Sequence, residues 1–417
     1  MLDLKLIREK TAEVKAALLK RMDQAKLNLE RIISLDDERC QLTKQLEELQ
    51  AQRNRYSKTK PTAEIIAEMK IVGENIKSLT EKLSAAEKEL NDYLLELPNL
   101  PAADVVAGGK ENNEVIFTYG QKPKFNFIPK DHVELATSLD IIDYKRAVKM
   151  SGNGFWCYKG AGALLEWALL SYFIEWHNKN GYQFLIPPFL LTEKSAYTSG
   201  HLPKFGDDLF WTQDGLCLNA TSEMMLGNYH REEILDEKTL PLKYFAYSPC
   251  FRREAGSYRA EERGMIRGHQ FNKVEMFIFS RPEESWEMFA ELVDQAKKLV
   301  IGLGLNFQIS KLAAEDCSAA MAKTYDLEIF IPSMQIYKEV SSISNALDYQ
   351  ARRGQTRYKN IATGKNEFVH TLNASGLATS RLLPAILEQN QQADGSVVIP
   401  KVLHKYLPRG MKIIKAR

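Results

Sequence analysis

Two charged clusters lie close together in the second half of the chain, Phe251-Arg252-Arg253-Glu254-Ala255 and His269-Gln270-Phe271-Asn272-Lys273-Val274-Glu275. Residues 256–268 between them include Gly256, Ser257, Arg259, Arg263, Gly264 and Arg267, with few apolar side chains. The pattern predicts two strand-like segments joined by a long polar loop. Alternate side chains of an extended strand share a face, so Arg252 and Glu254 would point the same way. A guanidinium there can clamp a phosphate with two parallel donors, and a carboxylate two residues on can accept from an amino group. That chemistry suits a nucleotide. A surface hairpin with a solvated, salt-bridged turn fits the same residues, so this segment by itself leaves both readings open.

Three more stretches group polar residues: Leu218-Asn219-Ala220-Thr221-Ser222-Glu223, Glu339-Val340-Ser341-Ser342 and His370-Thr371-Leu372-Asn373-Ala374-Ser375-Gly376. The last runs on through Leu377-Ala378-Thr379-Ser380 to Arg381. Small residues let a backbone approach a nucleotide closely, and the arginine could then sit on a phosphate. An ordinary helix start fits equally well. No Gly-Lys-Ser/Thr phosphate loop occurs and no G-x-G-x-x-G follows a strand, so P-loop and Rossmann sites are excluded.

The residues from Cys250 to Ser257 and from Arg263 to Phe271 resemble motif 2 of the class II aminoacyl-tRNA synthetases, specifically the seryl-tRNA synthetase family. The other three stretches match that family in the same order, and the resemblance extends over the whole chain. It implies ATP-dependent activation of L-serine to seryl-adenylate with release of pyrophosphate. Transfer to tRNA(Ser) and release of AMP would follow, with tRNA(Sec) a second candidate acceptor. Arg252, Glu339 and Arg381 would be catalytic, Arg252 on the α-phosphate and Arg381 on the γ-phosphate of a bent ATP. Glu254 would accept from the adenine amino group and the Gly268 backbone would lie along the nucleotide. Arg253, Val340 and Ser341 would belong to the same ATP site, while Glu339 and Ser342 would hold Mg²⁺ through hard oxygen ligands. Thr221 and Glu223 would hold the serine ammonium group, beside Ser222, where many relatives carry alanine. Glu275 and Ser375, helped by Asn373, would bind the serine hydroxyl. The family usually has glycine where Ala374 and Ser380 stand, which bears on the adenine pocket. A catalytically silent or amino-acid-altered paralogue acting as an RNA-binding scaffold is the alternative; an enzyme loading a carrier protein would have a missing or shortened arm.

These side chains need rigid elements to place them. The same resemblance implies an α+β catalytic domain over 105–417, an antiparallel sheet flanked by helices. Ala161 to His177 reads as a strongly apolar helix and, by resemblance, as motif 1 at a homodimer interface. Residues 1–104 would form an N-terminal tRNA-binding domain with a helical hairpin arm over about 27–97. Within it Met69, Val72, Ile76, Leu79, Leu83, Ala86, Leu90, Tyr93 and Leu97 keep a heptad spacing. Ile32, Leu35, Leu42, Leu46, Leu49 and Tyr56 make the facing stripe, with Arg39 and Arg53 interrupting it. Pro61 would end one helix and open the next. Two antiparallel helices of roughly thirty-four residues would reach about 50 Å as a projecting coiled coil. Arg53, Arg55, Lys58 and Lys60 put basic charge at its tip, suited to a phosphate backbone; a dimerising coiled coil is the plainer reading. The 417 residues carry a net charge of +2, so RNA contacts must come from local patches. The five scattered cysteines and a start without an apolar signal core predict a reduced, cytoplasmic setting. No run of apolar residues is long enough to span a membrane.

Overall fold

Heptad spacing does produce two long helices, α1 (Leu29–Tyr56) and α2 (Ala63–Glu96), in the computed structural model, which describes residues 1–56, 62–255 and 264–416. Lys58, Lys60 and Pro61 of the arm tip, and Gly256, Ser257, Arg259 and Arg263 of the polar loop, lie outside the described residues. Thr62 caps α2, its hydroxyl accepting from the Ile65 N–H at 3.3 Å. Arg31 bonds Glu89 at 3.0 and 2.5 Å and Gln52 bonds Glu68 at 3.0 Å, so equal intervals run in opposite directions and the pair is antiparallel. The described stretches of the two helices count 28 and 34 residues. Leu97 leaves the helix with extended backbone. Arg39 interrupts the seam because it turns back onto Asp36 at 2.7 Å. Among the apolar side chains described, full burial is confined to Leu29, Ile32 and Leu35 of α1 and Val72, Ala86, Leu90 and Leu94 of α2, as a core only two helices thick dictates. Arg8, on the short helix Leu4–Glu9, clips that end by pairing with Asp36 at 2.9 Å and Asp37 at 2.6 Å.

The chain divides into two compact units, residues 1–100 and 101–417. In the second, among the described residues, eight strands form one sheet. They are β1 (Glu114–Tyr119), β2 (Gln183–Leu185), β3 (Leu242–Phe251), β4 (Gln270–Ser280), β5 (Phe307–Lys311), β6 (Lys323–Ile331), β7 (Ile336–Leu347) and β8 (His370–Ala378). Their order is β1-β5-β6-β7-β8-β4-β3-β2, antiparallel throughout except for the parallel β2–β3 pair. Helices α3 (Ala161–Lys179), α4 (Ser285–Leu303) and α5 (Thr379–Gln389) share one core with the sheet. This is the α+β arrangement expected.

Period-two alternation then decides where the chemistry sits. Val274, Met276 and Ile278 of β4, Leu327 and Ile329 of β6, Ile343 of β7 and Leu372 and Ala374 of β8 enter the core shared with the helices. The intervening residues Lys273 and Glu275, Asp326, Ser342, and Asn373 and Ser375 therefore share the opposite face. Farther along β4, that face is closed by a second cluster of Phe277, Phe279, Tyr244 and Tyr358. No helix among the described residues is long and apolar enough to cross a membrane.

Candidate active site

The polar face opens into a cavity of about 330 Å³ lined by Thr221, Glu223, Arg252, Lys273, Glu275, Glu339, Ser342, Asn373 and Ser375, among others. A narrower pocket shares Arg252, Glu254, Lys273, Glu339 and Ser375 with it and adds Gly268, Phe271, Val340, Ser380 and Arg381. A third cavity shares Glu339, Ser342 and Arg381 and is closed by Asp326 and Glu328. The fold thus gathers segments more than 150 residues apart in sequence around adjoining pockets.

At one end, buried polar groups satisfy one another. Lys273 Nζ lies 2.5 Å from Glu275 Oε2 and donates to Thr221 Oγ1 at 2.6 Å. Asn373 Nδ2 donates to Glu275 Oε1 at 3.0 Å, and Ser375 Oγ stands 3.4 Å from Glu275 Oε2. Gln350 donates to Glu223 Oε1 at 2.7 Å. Burial, reinforced by the charge of Glu275, pushes the Glu223 carboxyl up to about 7 against the pull of Lys273. Lys273 has no role in the sequence reading, although its two-residue step to Glu275 on one strand face is a signal for this pairing.

The other end is cationic. The Arg252 guanidinium lies 5.2 Å from the Phe271 ring centre, and its Nε donates to the Ala220 carbonyl at 3.3 Å. Arg381 donates to the Glu339 carbonyl at 2.9 Å and approaches Glu339 Oε2 at 3.3 Å. Burial alone would raise the Glu339 carboxyl, but Arg381 and Arg252 hold it below the usual carboxylate range. Gly268 is glycine for a packing reason: an added Cβ would meet the Trp156 ring at 2.2 Å and the Gly154 carbonyl at 2.7 Å.

Five sequence expectations need correction or relocation. β3 ends at Phe251, and Glu254 takes a left-handed φ of 53°, so strand alternation does not bring Arg252 and Glu254 together; a turn does. Glu254 Oε2 accepts from Arg267 at 2.7 Å, which makes Arg267 a partner of the site rather than a solvated loop charge. Ser222 is fully buried with its hydroxyl on Ser248 at 2.8 Å, and is not part of the cavity wall. Ser341 likewise turns inward, donating to the Ser375 carbonyl at 2.6 Å, and Arg253 is exposed with its N–H on the Asp208 carbonyl. His269 is packed against Phe155 and Phe210, with Nδ1 on the Arg252 carbonyl at 3.0 Å.

The residues at Glu339 fit a hard divalent cation completed by phosphate oxygens. Asp326 faces Ser342 across the β6–β7 pair, and its buried Oδ1 closes no hydrogen bond. Burial and the neighbouring Glu339 push the Asp326 carboxyl well up. Among the described residues no group of three or more His, Cys, Asp and Glu converges to hold a metal unaided.

Comparison with known proteins places the whole chain among its relatives. Residues 1–101 match the family model described as seryl-tRNA synthetase N-terminal domain, and residues 209–390 match the tRNA synthetase class II core domain (G, H, P, S and T). Serine–tRNA ligase 2 of Clostridium acetobutylicum is 53% identical over 422 residues, covering 98% of this chain and 99% of the relative. The seryl-tRNA synthetase from Pyrococcus horikoshii complexed with ATP superposes with a TM-score of 0.92 at 34% identity, covering 100% of both chains. The cytoplasmic serine-tRNA ligase from Naegleria fowleri in complex with AMP gives 0.87 at 29% identity, covering 100% of this chain and 99% of that one.

Proposed function

Because the chain belongs to the seryl-tRNA synthetase family, we propose that its cavity activates L-serine with ATP and passes the seryl group to tRNA(Ser), with tRNA(Sec) a further acceptor. The observation that carries this reading is a pair of adjoining pockets with an acidic end at Glu275 and Ser375 and a cationic end at Arg252 and Arg381. The serine carboxylate attacks the α-phosphorus and pyrophosphate leaves; a terminal ribose hydroxyl of the tRNA then attacks the acyl carbon and AMP leaves. The carboxylate is already a nucleophile, so the first step needs alignment and charge neutralisation rather than a base. Arg252 serves the α-phosphate and Arg381 the γ-phosphate, while the Phe271 ring offers a face to adenine. Glu254 is freed for the adenine amino group when Arg267 turns to phosphate or RNA. Glu339, Ser342 and Asp326 would hold Mg²⁺, which when bound neutralises phosphate charge beside them.

Thr221 and Glu223 take the ammonium group, and Glu275 with Ser375 and Asn373 takes the hydroxyl. Alanine would leave these buried groups unpaired, a penalty of roughly 10⁴ in kcat/KM; threonine is refused by the room its methyl needs. The arm is assigned to the body of tRNA(Ser), which it would read mainly by shape. Leu164 and Trp167 of α3, 42% and 61% exposed, support assembly of a cytoplasmic homodimer through that helix. Serine-dependent exchange of pyrophosphate into ATP, run against a panel of amino acids, tests the reading. Exchange with serine alone is expected; silence with every amino acid, or preference for another, overturns it.

A further inference from the structure

A buried carboxylate outside the cavity ties together three elements that carry the site. Glu166 of α3 is 3% exposed, and its Oε1 accepts from Asn272 Nδ2 on β4 at 2.7 Å and from Thr379 Oγ1, the first residue of α5, at 2.6 Å. Asn272 is held at its other end too, Oδ1 accepting from the Tyr247 hydroxyl at 3.1 Å. The Thr379 hydroxyl also lies 3.2 Å from the Asn272 carbonyl. The Tyr158 hydroxyl stands beside the carboxyl without closing a well-aligned hydrogen bond. An ionisable group in an apolar core is costly unless its contacts need it there. Here the two donors flank the nucleotide end: Asn272 sits between Phe271 and Lys273, and Thr379 lies in the same helical turn as Arg381.

We infer that Glu166 is a positioning residue, a clamp fixing β4 to the start of α5 so that Phe271 and Arg381 stand at the separation a nucleotide requires. The inference rests on the assignment of that end of the cavity to ATP. Loss of the clamp lets α5 shift against β4 at the nucleotide end, while the serine end keeps its own Lys273–Glu275–Asn373 links.

The experiment uses the full-length enzyme and steady-state pyrophosphate exchange, with wild type first establishing serine-dependent exchange, so that failure of the ATP reading is seen separately. Glu166→Ala is expected to raise KM for ATP about tenfold and leave KM for serine within about twofold, the effect of losing its buried hydrogen bonds to Asn272 and Thr379. Glu166→Gln keeps a carbonyl for both donors and should restore KM for ATP to within about twofold of wild type. Thr379→Val removes the same link without touching α3, covering the case in which Glu166→Ala does not fold, and its effect should not add to that of Glu166→Ala. Equal rises in both KM values, additivity of the two substitutions, or an unchanged KM for ATP in Thr379→Val would overturn the assignment.

Discussion

At the scale of single residues, the acidic end of the cavity holds two carboxylates for which different tasks are proposed, and their surroundings separate them. Glu275 is tied to a buried ammonium, Lys273, so Glu275→Ala would strand that charge and cost about 3–5 kcal/mol in folding. Glu275→Gln is the cleaner probe: KM for serine should rise by about 10² while KM for ATP moves by less than about threefold. Parallel loss of both would remove Glu275 from the hydroxyl site. Glu223, raised to about 7 by burial and by Glu275, must ionise to hold an ammonium group. Hence kcat/KM for serine should climb with pH, about tenfold per unit below 7, and flatten above it. Glu223→Gln should abolish that limb and lower the plateau; an unchanged profile would assign the ammonium elsewhere. The pair Glu223 and Glu275 was readable from local strings in the sequence. Lys273 and Asp326 have no role in the sequence reading, because only the fold brings Lys273 to Thr221 and Asp326 beside Glu339.

At the scale of elements, periodicity located helices and strands well and irregular backbone poorly. Heptad spacing marked both arm helices, since a seam repeating every three and four residues has few other solutions. Strand alternation failed at Glu254, where a left-handed residue leaves the strand, and nothing in an Arg-Arg-Glu string announces that turn. The separation of unit 1–100 from unit 101–417 makes one element testable by removal. Deleting residues 30–95 and joining the ends with a short flexible linker should leave serine-dependent pyrophosphate exchange within about threefold, because none of the cavity residues lies there. Charging of tRNA(Ser) should fall by at least about 10², with the loss in KM for tRNA. Collapse of exchange as well would make the arm part of the stability of the catalytic unit.

At the scale of the whole molecule, a net charge of +2 means that stability against pH is governed by a few buried groups rather than by overall repulsion. They pull in opposite directions. Burial depresses His177 to about 4 and His201 to about 3, so each contributes stability above its unfolded value near 6.5 that is lost as pH falls toward those figures. Burial raises Glu166 and Glu223 to about 7 from 4.5; each contributes stability in full below 4.5, and it is lost as pH rises through about 7. The folded state should therefore be most stable in the mildly acidic window between these losses. Glu166→Gln deletes one of the two opposing pulls at high pH while keeping acceptors for Asn272 and Thr379. Relative to wild type, the variant should gain stability between pH 5 and pH 8, with a ceiling on the order of 3 kcal/mol from the span between 4.5 and about 7. Urea unfolding of both proteins at the two pH values measures the difference. If it is the same at pH 5 and pH 8, Glu166 does not take up a proton on folding, and the clamp between β4 and α5 is held by an ionised carboxylate throughout.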